Sequence, residues 1–288
     1  MRESRRFSFA VGVAPLAVER LKKAFDGTHG FERLKVTLLE DLPVTPGMDL
    51  ALYDGKLRAE YARLLDRNPP TLLCALDPDG GPQAGAGVLL AHAVGNRNLD
   101  RQLNSLRRLP VDSVDQVAVI SREVEALCDT EGTPATGALA ADIVHELVTN
   151  ALLAAPVDGA GRPRYAHRRD SVRTVSPEDA CLLKWGLLGN QLFVSATDRF
   201  GRLDTAPWSR AMASWGRPVK VNASGGGAGL GLRRVLEHAD VIAVRVDHRV
   251  STEVVVALSL DGPRKRSSLS KSFFFVRRIP GLDSGAGR

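Results

Sequence analysis

The sequence predicts an α/β protein of two units and a tail, with boundaries at residues 1–112, 113–262 and 263–288. Three observations predict it. At 288 residues the chain is too long for one small domain and suits two. Its first part alternates short apolar runs with segments of helical spacing, the mark of helices layered on a largely parallel sheet. Its middle part changes order: two helices, a hairpin, a poorly patterned glycine-rich stretch, a helix and two strands. A hydrophobic share of 44% is ordinary for a folded protein.

Taken in order, residues 7–13 read as a strand and 16–25 as a helix. Residues 34–39 and 49–53 are strands, and 56–65 a helix. The apolar runs 71–76 and 86–93 are expected as two more buried strands. A closing helix is expected over 99–106, and Pro110 and Asp112 mark the boundary. Helical spacing returns over 113–127, until Thr130, Gly132 and Pro134 break it. A longer helix follows over 137–155, and Pro156 ends it. Residues 158–179, rich in Gly, Pro, Arg and Ser, are loop. Strands over 181–188 and 191–197 flank Gly189 and Asn190, which tolerate the positive φ of a hairpin turn. Residues 204–226 lack periodicity. A helix over 231–238 and strands over 241–246 and 253–260 close the unit.

Cys74, Cys128 and Cys181 lie far apart and form no CxxC or metal-ligand spacing, so a reducing cytoplasm is the expected setting. No apolar run reads as long enough to span a bilayer, and the basic start lacks an apolar signal core. The net charge is +6. Part of the excess lies in the tail, at Arg264, Lys265, Arg266, Lys271, Arg277 and Arg278. This reads first as a solvated tail, with nucleic acid or an acidic membrane surface as the alternative contact.

Three short blocks carry chemistry. In the first, Glu-Leu-Val-Thr-Asn-Ala over residues 146–151, Asp142, Glu146 and Asn150 share one helix face. The amide oxygen of Asn150 is a hard ligand suited to Mg²⁺. Glu146 can orient or deprotonate a nucleophile attacking a phosphate. Alone, the pair would read as the solvated side of an amphipathic helix. His145-Glu146 is not the HExxH zinc motif, because Thr149 stands where the second histidine belongs. In the second block Asp198 ends a strand and Gly201 follows. A carboxylate there can accept from an exocyclic amine such as that of adenine, or simply start a turn. The third block places five glycines between Gly225 and Gly231 ahead of a helix. Their exposed N–H groups and the helix N-terminus suit phosphate. It is neither GxxxxGK[ST] nor GxGxxG, so a P-loop and a dinucleotide fold are excluded.

In this order and spacing the blocks resemble the N, G1 and G2 boxes of the ATP-binding superfamily of gyrase, heat-shock chaperone ATPases, histidine kinases and mismatch-repair ATPases. The likeness covers residues 113–260, and its first block is most similar to the anti-sigma-factor serine kinases. It implies a Bergerat-type two-layer α/β sandwich binding ATP and Mg²⁺. Asn150 would hold the metal, and Glu146 would be the catalytic base. Asp198, with Gly201 beside it, would bind adenine. Gly227, Gly229, Leu230 and Gly231 would lie against the phosphates, Thr252 near the adenine, and residues 204–228 would form a lid. Two departures stand out: Phe200 and Arg202 replace the glycines of the G1 box, and Leu153 stands where many kinases carry a basic residue. Arg233, Arg234, Arg168 or Arg169 would then meet the phosphate charge. The helix over 113–127 has no histidine, which argues against self-phosphorylation on histidine.

Asp54, at the end of the third strand, resembles the phosphoacceptor position of a response-regulator receiver. The acidic pair and the lysine of a working receiver are missing, so the first unit reads as a regulatory, partner-binding domain. The resemblance implies slow phosphoryl transfer to a protein Ser or Thr, or slow hydrolysis. The rival is a non-enzymatic ATP-dependent switch. The implied partner is a regulatory protein, and a homodimer is compatible with this reading.

Overall fold

Apolar runs along the whole chain meet in one mixed sheet. The computed structural model describes residues 7–11, 35–39, 48–53, 55–67, 71–76, 82–94, 98–216, 230–261 and 270–278. Its strands are β1 (Phe7–Val11), β2 (Lys35–Leu39), β3 (Met48–Tyr53), β4 (Thr71–Ala75), β5 (Asn104–Val111), β6 (Cys181–Leu188), β7 (Gln191–Asp198), β8 (Val241–Asp247), β9 (Ser251–Ser259) and β10 (Ser272–Arg278). They lie in the order β2-β1-β3-β4-β10-β8-β9-β7-β6-β5. The first four pair in parallel. β10 runs antiparallel to β4 and parallel to β8. From β8 to β5 every pairing is antiparallel.

The helices are α1 (Ala62–Arg67), α2 (Ala86–Val94), α3 (Val114–Glu131), α4 (Pro134–Thr149), α5 (Thr205–Ala213) and α6 (Leu230–His238). One face of the sheet packs against residues of α1, α3, α4, α5 and α6. α2 covers the other. Alternation along the strands feeds both layers: Phe273 and Phe275 face the first, and Phe274 the second.

Four expectations change. The run over 86–93 is helix α2, not a strand. Ala86, Leu89, Leu90 and Ala93 are buried at helical spacing, but their neighbours are apolar too, which hides the stripe. The closing helix over 99–106 is one short 3-10 turn, Leu99–Arg101, followed by edge strand β5. Pro110 suits such an edge, since it has no N–H to offer a further strand. The unpatterned residues 204–226 contain α5, capped by Asp204, whose Oδ1 accepts from Thr205 N at 2.7 Å. Pro207 sits in its first turn, where N–H groups lack helical partners anyway. The first half of the expected lid is thus a packed helix. Trp208 is fully buried against Phe273, with ring centroids 5.2 Å apart, and Ser209 Oγ donates to Ala62 O.

The fourth change concerns the basic tail. Residues 272–278 form β10, an inner strand of the sheet. Lys271 is buried, and its Nζ donates to Glu237 O and Ala239 O at the end of α6. Arg277 donates to Leu203 O and Asp204, and Arg278 to Val94 O. The boundary expected at residue 112 likewise separates no two sheets. β5 pairs with β6, α2 packs on β8, β9 and β10, and β4 pairs with β10. The expected helix over 16–25, Asp54 and the cations Arg264, Lys265 and Arg266 lie outside the described residues. One described helical stretch, Pro134–Ala154, has the length and apolarity of a membrane span, and half of it is buried inside the protein.

Candidate functional site

α4 starts at a strong cap. Thr133 accepts from Thr136 N, and Pro134 occupies the first turn. Its far end loosens at Asn150, where five residues, Asn150–Ala154, form a π turn closed by Ala155 N donating to Asn150 O at 3.1 Å. Such turns recur at functional sites because they re-aim side chains within a helix. Asn150 Nδ2 is buried without a hydrogen-bond partner. An orphaned buried donor is costly unless a ligand or water meets it.

β7 and β9 bring the next two residues together, since Asp198 stands opposite Thr252. Asp198 Oδ1 accepts from Phe200 N at 2.8 Å and Gly201 N at 3.2 Å. The turn therefore uses one carboxylate oxygen. Burial pushes this carboxyl above its ordinary range, although those two N–H groups and nearby Thr252 favour the charged form. Thr252 Oγ1 is itself buried, and its proximity to Asp198 falls short of hydrogen-bond geometry. Gly201 has φ +58°, and a Cβ there would lie 2.1 Å from Asp247 O. No other residue fits that turn.

A pocket of about 330 Å³ opens between these elements. Leu147, Ala151, Ala196, Leu232 and Val254 give it apolar walls, while Asn150, Asp198 and Thr252 supply polar groups. Arg169, Arg202 and Asp204 also line it. An apolar slot with few placed polar groups is the usual form of a small-molecule site.

No protein-family model matches the chain, and no curated protein matches it.

Glu146 stands one turn before Asn150 and pairs with Arg234 at 3.3 Å. Gly231 packs directly on it, since a Cβ there would come within 2.0 Å of Glu146 Oε2. That contact ties the start of α6 to α4. Glu146 does not line the pocket with Asn150, Asp198 and Thr252, and neither does Gly231. The side chain of Leu230, together with Gly227 and Gly229, lies outside the described residues. His145 is exposed, a surface histidine. Sequence reasoning missed Arg202 and Asp204 as pocket residues. The one signal for Arg202 was an arginine in place of a G1 glycine.

The other cationic candidates are engaged elsewhere. Arg233 bonds Glu237 at 2.8 Å. Arg168 stacks near the Tyr165 ring, 5.8 Å from its centroid. Cys74, Cys128 and Cys181 are free and buried. Burial pushes the Cys181 thiol up to about 12, with Asp198 adding to the shift, so it is no thiolate at neutral pH.

Behind the pocket, on the opposite face of the sheet, Glu253 gathers a polar cluster. His92 Nε2 lies 2.9 Å from Glu253 Oε2, Ser195 Oγ donates to Oε1 at 3.0 Å, and Lys184 Nζ is 3.7 Å away. Burial pushes this carboxyl up, but His92, Lys184 and Ser195 outweigh it and hold it at about 2. A folded value below the unfolded one adds stability above the unfolded value of about 4.5, and that stability fades as pH falls toward 2. The contribution is on the order of 3 kcal/mol. Glu253→Gln should therefore cost stability at pH 7, and the gap to wild type should narrow between pH 5 and pH 3. Urea unfolding across that range checks this, and a pH-independent gap would rule it out.

Proposed function

We propose that this chain binds Mg-ATP in a histidine-kinase-like, Bergerat-type two-layer sandwich centred on residues 113–262, with the first unit as its regulatory domain. The observation that carries this reading is the meeting of Asn150, Asp198 and Thr252 in one apolar pocket. They come from three separate parts of the chain; Asn150 and Asp198 were marked by their chemistry in the sequence, and Thr252 by the family resemblance. The buried, unpartnered Nδ2 of Asn150 supports a ligand beside it. Adenine suits the apolar walls, with its amine donating to the Asp198 oxygen that the turn leaves unused. Among the described residues no three His, Cys, Asp or Glu side chains gather as a metal site. Asn150, through its amide oxygen, would hold Mg²⁺ together with phosphate oxygens, and the metal would neutralise phosphate charge. A cytoplasmic setting suits three free buried thiols.

The reaction proposed is slow phosphoryl transfer to a protein Ser or Thr, or slow hydrolysis, with Glu146 taking the proton from the attacking hydroxyl or water. One observation favours the rival reading, an ATP-dependent switch that presents a surface to a regulatory protein: Glu146 Oε1 is already paired with Arg234. Calorimetry with Mg-ATP tests the shared premise, and no binding at millimolar nucleotide would refute both readings. Glu146→Gln separates them. As an enzyme, the variant should bind ATP normally and lose turnover by about 100-fold or more, the usual contribution of a general base. Equal phosphate release from variant and wild type would select the switch.

A further inference from the structure

We propose that Arg169 and Arg202 form a two-armed clamp for the phosphate groups of the bound nucleotide; this rests on the ATP-binding reading above. Both line the pocket, from two different segments of the chain. Neither makes a hydrogen bond or ion pair among the described residues. Three other arginines of this unit are already matched. Arg164 bonds Asp179 at 2.8 Å, Arg162 bonds Asp158 at 2.9 Å, and Arg234 pairs with Glu146. Asp204, an acid that also lines the pocket, accepts from Thr205 N and Arg277 through its Oδ1. Two guanidinium groups without protein partners at one pocket suit an anion with more than one charge.

The end of α4 offers no alternative, because Leu153, three residues after Asn150, is buried in the core. Arg202 follows Gly201 directly and lies along the loop at residues 158–163. A Cβ on Gly161 would stand 3.0 Å from its Nη1, so glycine there lets the guanidinium lie close. Asp158 Oδ1 holds that loop by accepting from Ala160 N and Arg162 N, both at 2.9 Å. The arginine that breaks the glycine pattern is thus seated on a braced loop. Its planar fork matches phosphate oxygens in a way that a lysine would not.

The test is calorimetry on the full chain with adenosine, ATP and inorganic tripolyphosphate, for wild type and the double variant R169Q/R202Q. Wild type should bind ATP more tightly than adenosine, with affinity falling as salt rises. The double variant should lose about tenfold or more in ATP affinity, since each charge-assisted contact contributes on that scale. Its adenosine affinity should stay unchanged, which also reports that the pocket is folded. Tripolyphosphate should compete with ATP for wild type and not for the variant. Wild-type ATP affinity in the double variant would overturn the clamp alone. Wild type binding neither adenosine nor ATP would overturn the nucleotide reading, and the clamp with it.

Discussion

Cutting the chain after residue 262 is expected to abolish folding, although the lost segment reads in sequence as a basic tail. β10 would go, and with it Phe273, Phe274 and Phe275, which are 0–1% exposed. Removing one buried Phe ring costs about 3–5 kcal/mol, so three exceed most of a typical total stability of about 5–15 kcal/mol. The cut also strips backbone partners from β4 and from the whole length of β8, in the middle of the sheet. Trp208 loses the ring it packs on, and the end of α6 loses Lys271. Deleting residues 1–110 should be nearly as damaging, because it unpairs β10 from β4 and β6 from β5. Circular dichroism melts and size-exclusion chromatography check both cuts. A soluble protein melting cooperatively within a few degrees of wild type, for either cut, would show that its segment is dispensable.

Strands whose alternation faces one core, or whose runs are short and bounded, were legible. β1, β2, β3 and β4 fall where their apolar runs predict, and Gly189, at φ +56°, turns the β6–β7 hairpin. What escaped were elements defined by distant partners. In β10 three phenylalanines sit beside Ser272, Arg277 and Arg278, and local charge disguised an inner strand. β5 is mostly exposed at the sheet edge, so it carries no strong alternation. α5 draws its apolar face from Trp208, Ala211 and Met212 amid polar neighbours, and a proline interrupts its pattern. The site divides in the same way. Asn150 and Asp198 stood out by residue type and Thr252 only through the family resemblance, and the structure brings all three to one pocket. Arg169 was only one of several candidates and Arg202 only a departure, since what a loop arginine lies beside is known only once its neighbours are placed. Gly201 looked like a glycine out of register, and the close backbone of Asp247 explains why the turn needs it.

Asp198→Asn is expected to uncouple stability from nucleotide affinity. The asparagine carbonyl can replace Oδ1 as acceptor for Phe200 N and Gly201 N, so the turn should survive. The other position changes from acceptor to donor. A donor facing the amine of adenine leaves both unsatisfied in a buried site, a loss of about 10- to 100-fold in affinity. Stability should move the other way. Burial raises the folded-state value of this carboxyl above the unfolded one, so ionising it disfavours folding increasingly as pH rises from about 4 through the folded value. The neutral amide removes that cost, and at pH 7 the variant should melt no lower than wild type. GTP presents a carbonyl where ATP presents the amine, so the preference for ATP should shrink or reverse. Competition calorimetry with ATP and GTP, alongside thermal melts at pH 7, measures both arms. An unchanged preference for ATP would remove Asp198 from adenine recognition, and a large drop in melting temperature would make it a structural turn residue only.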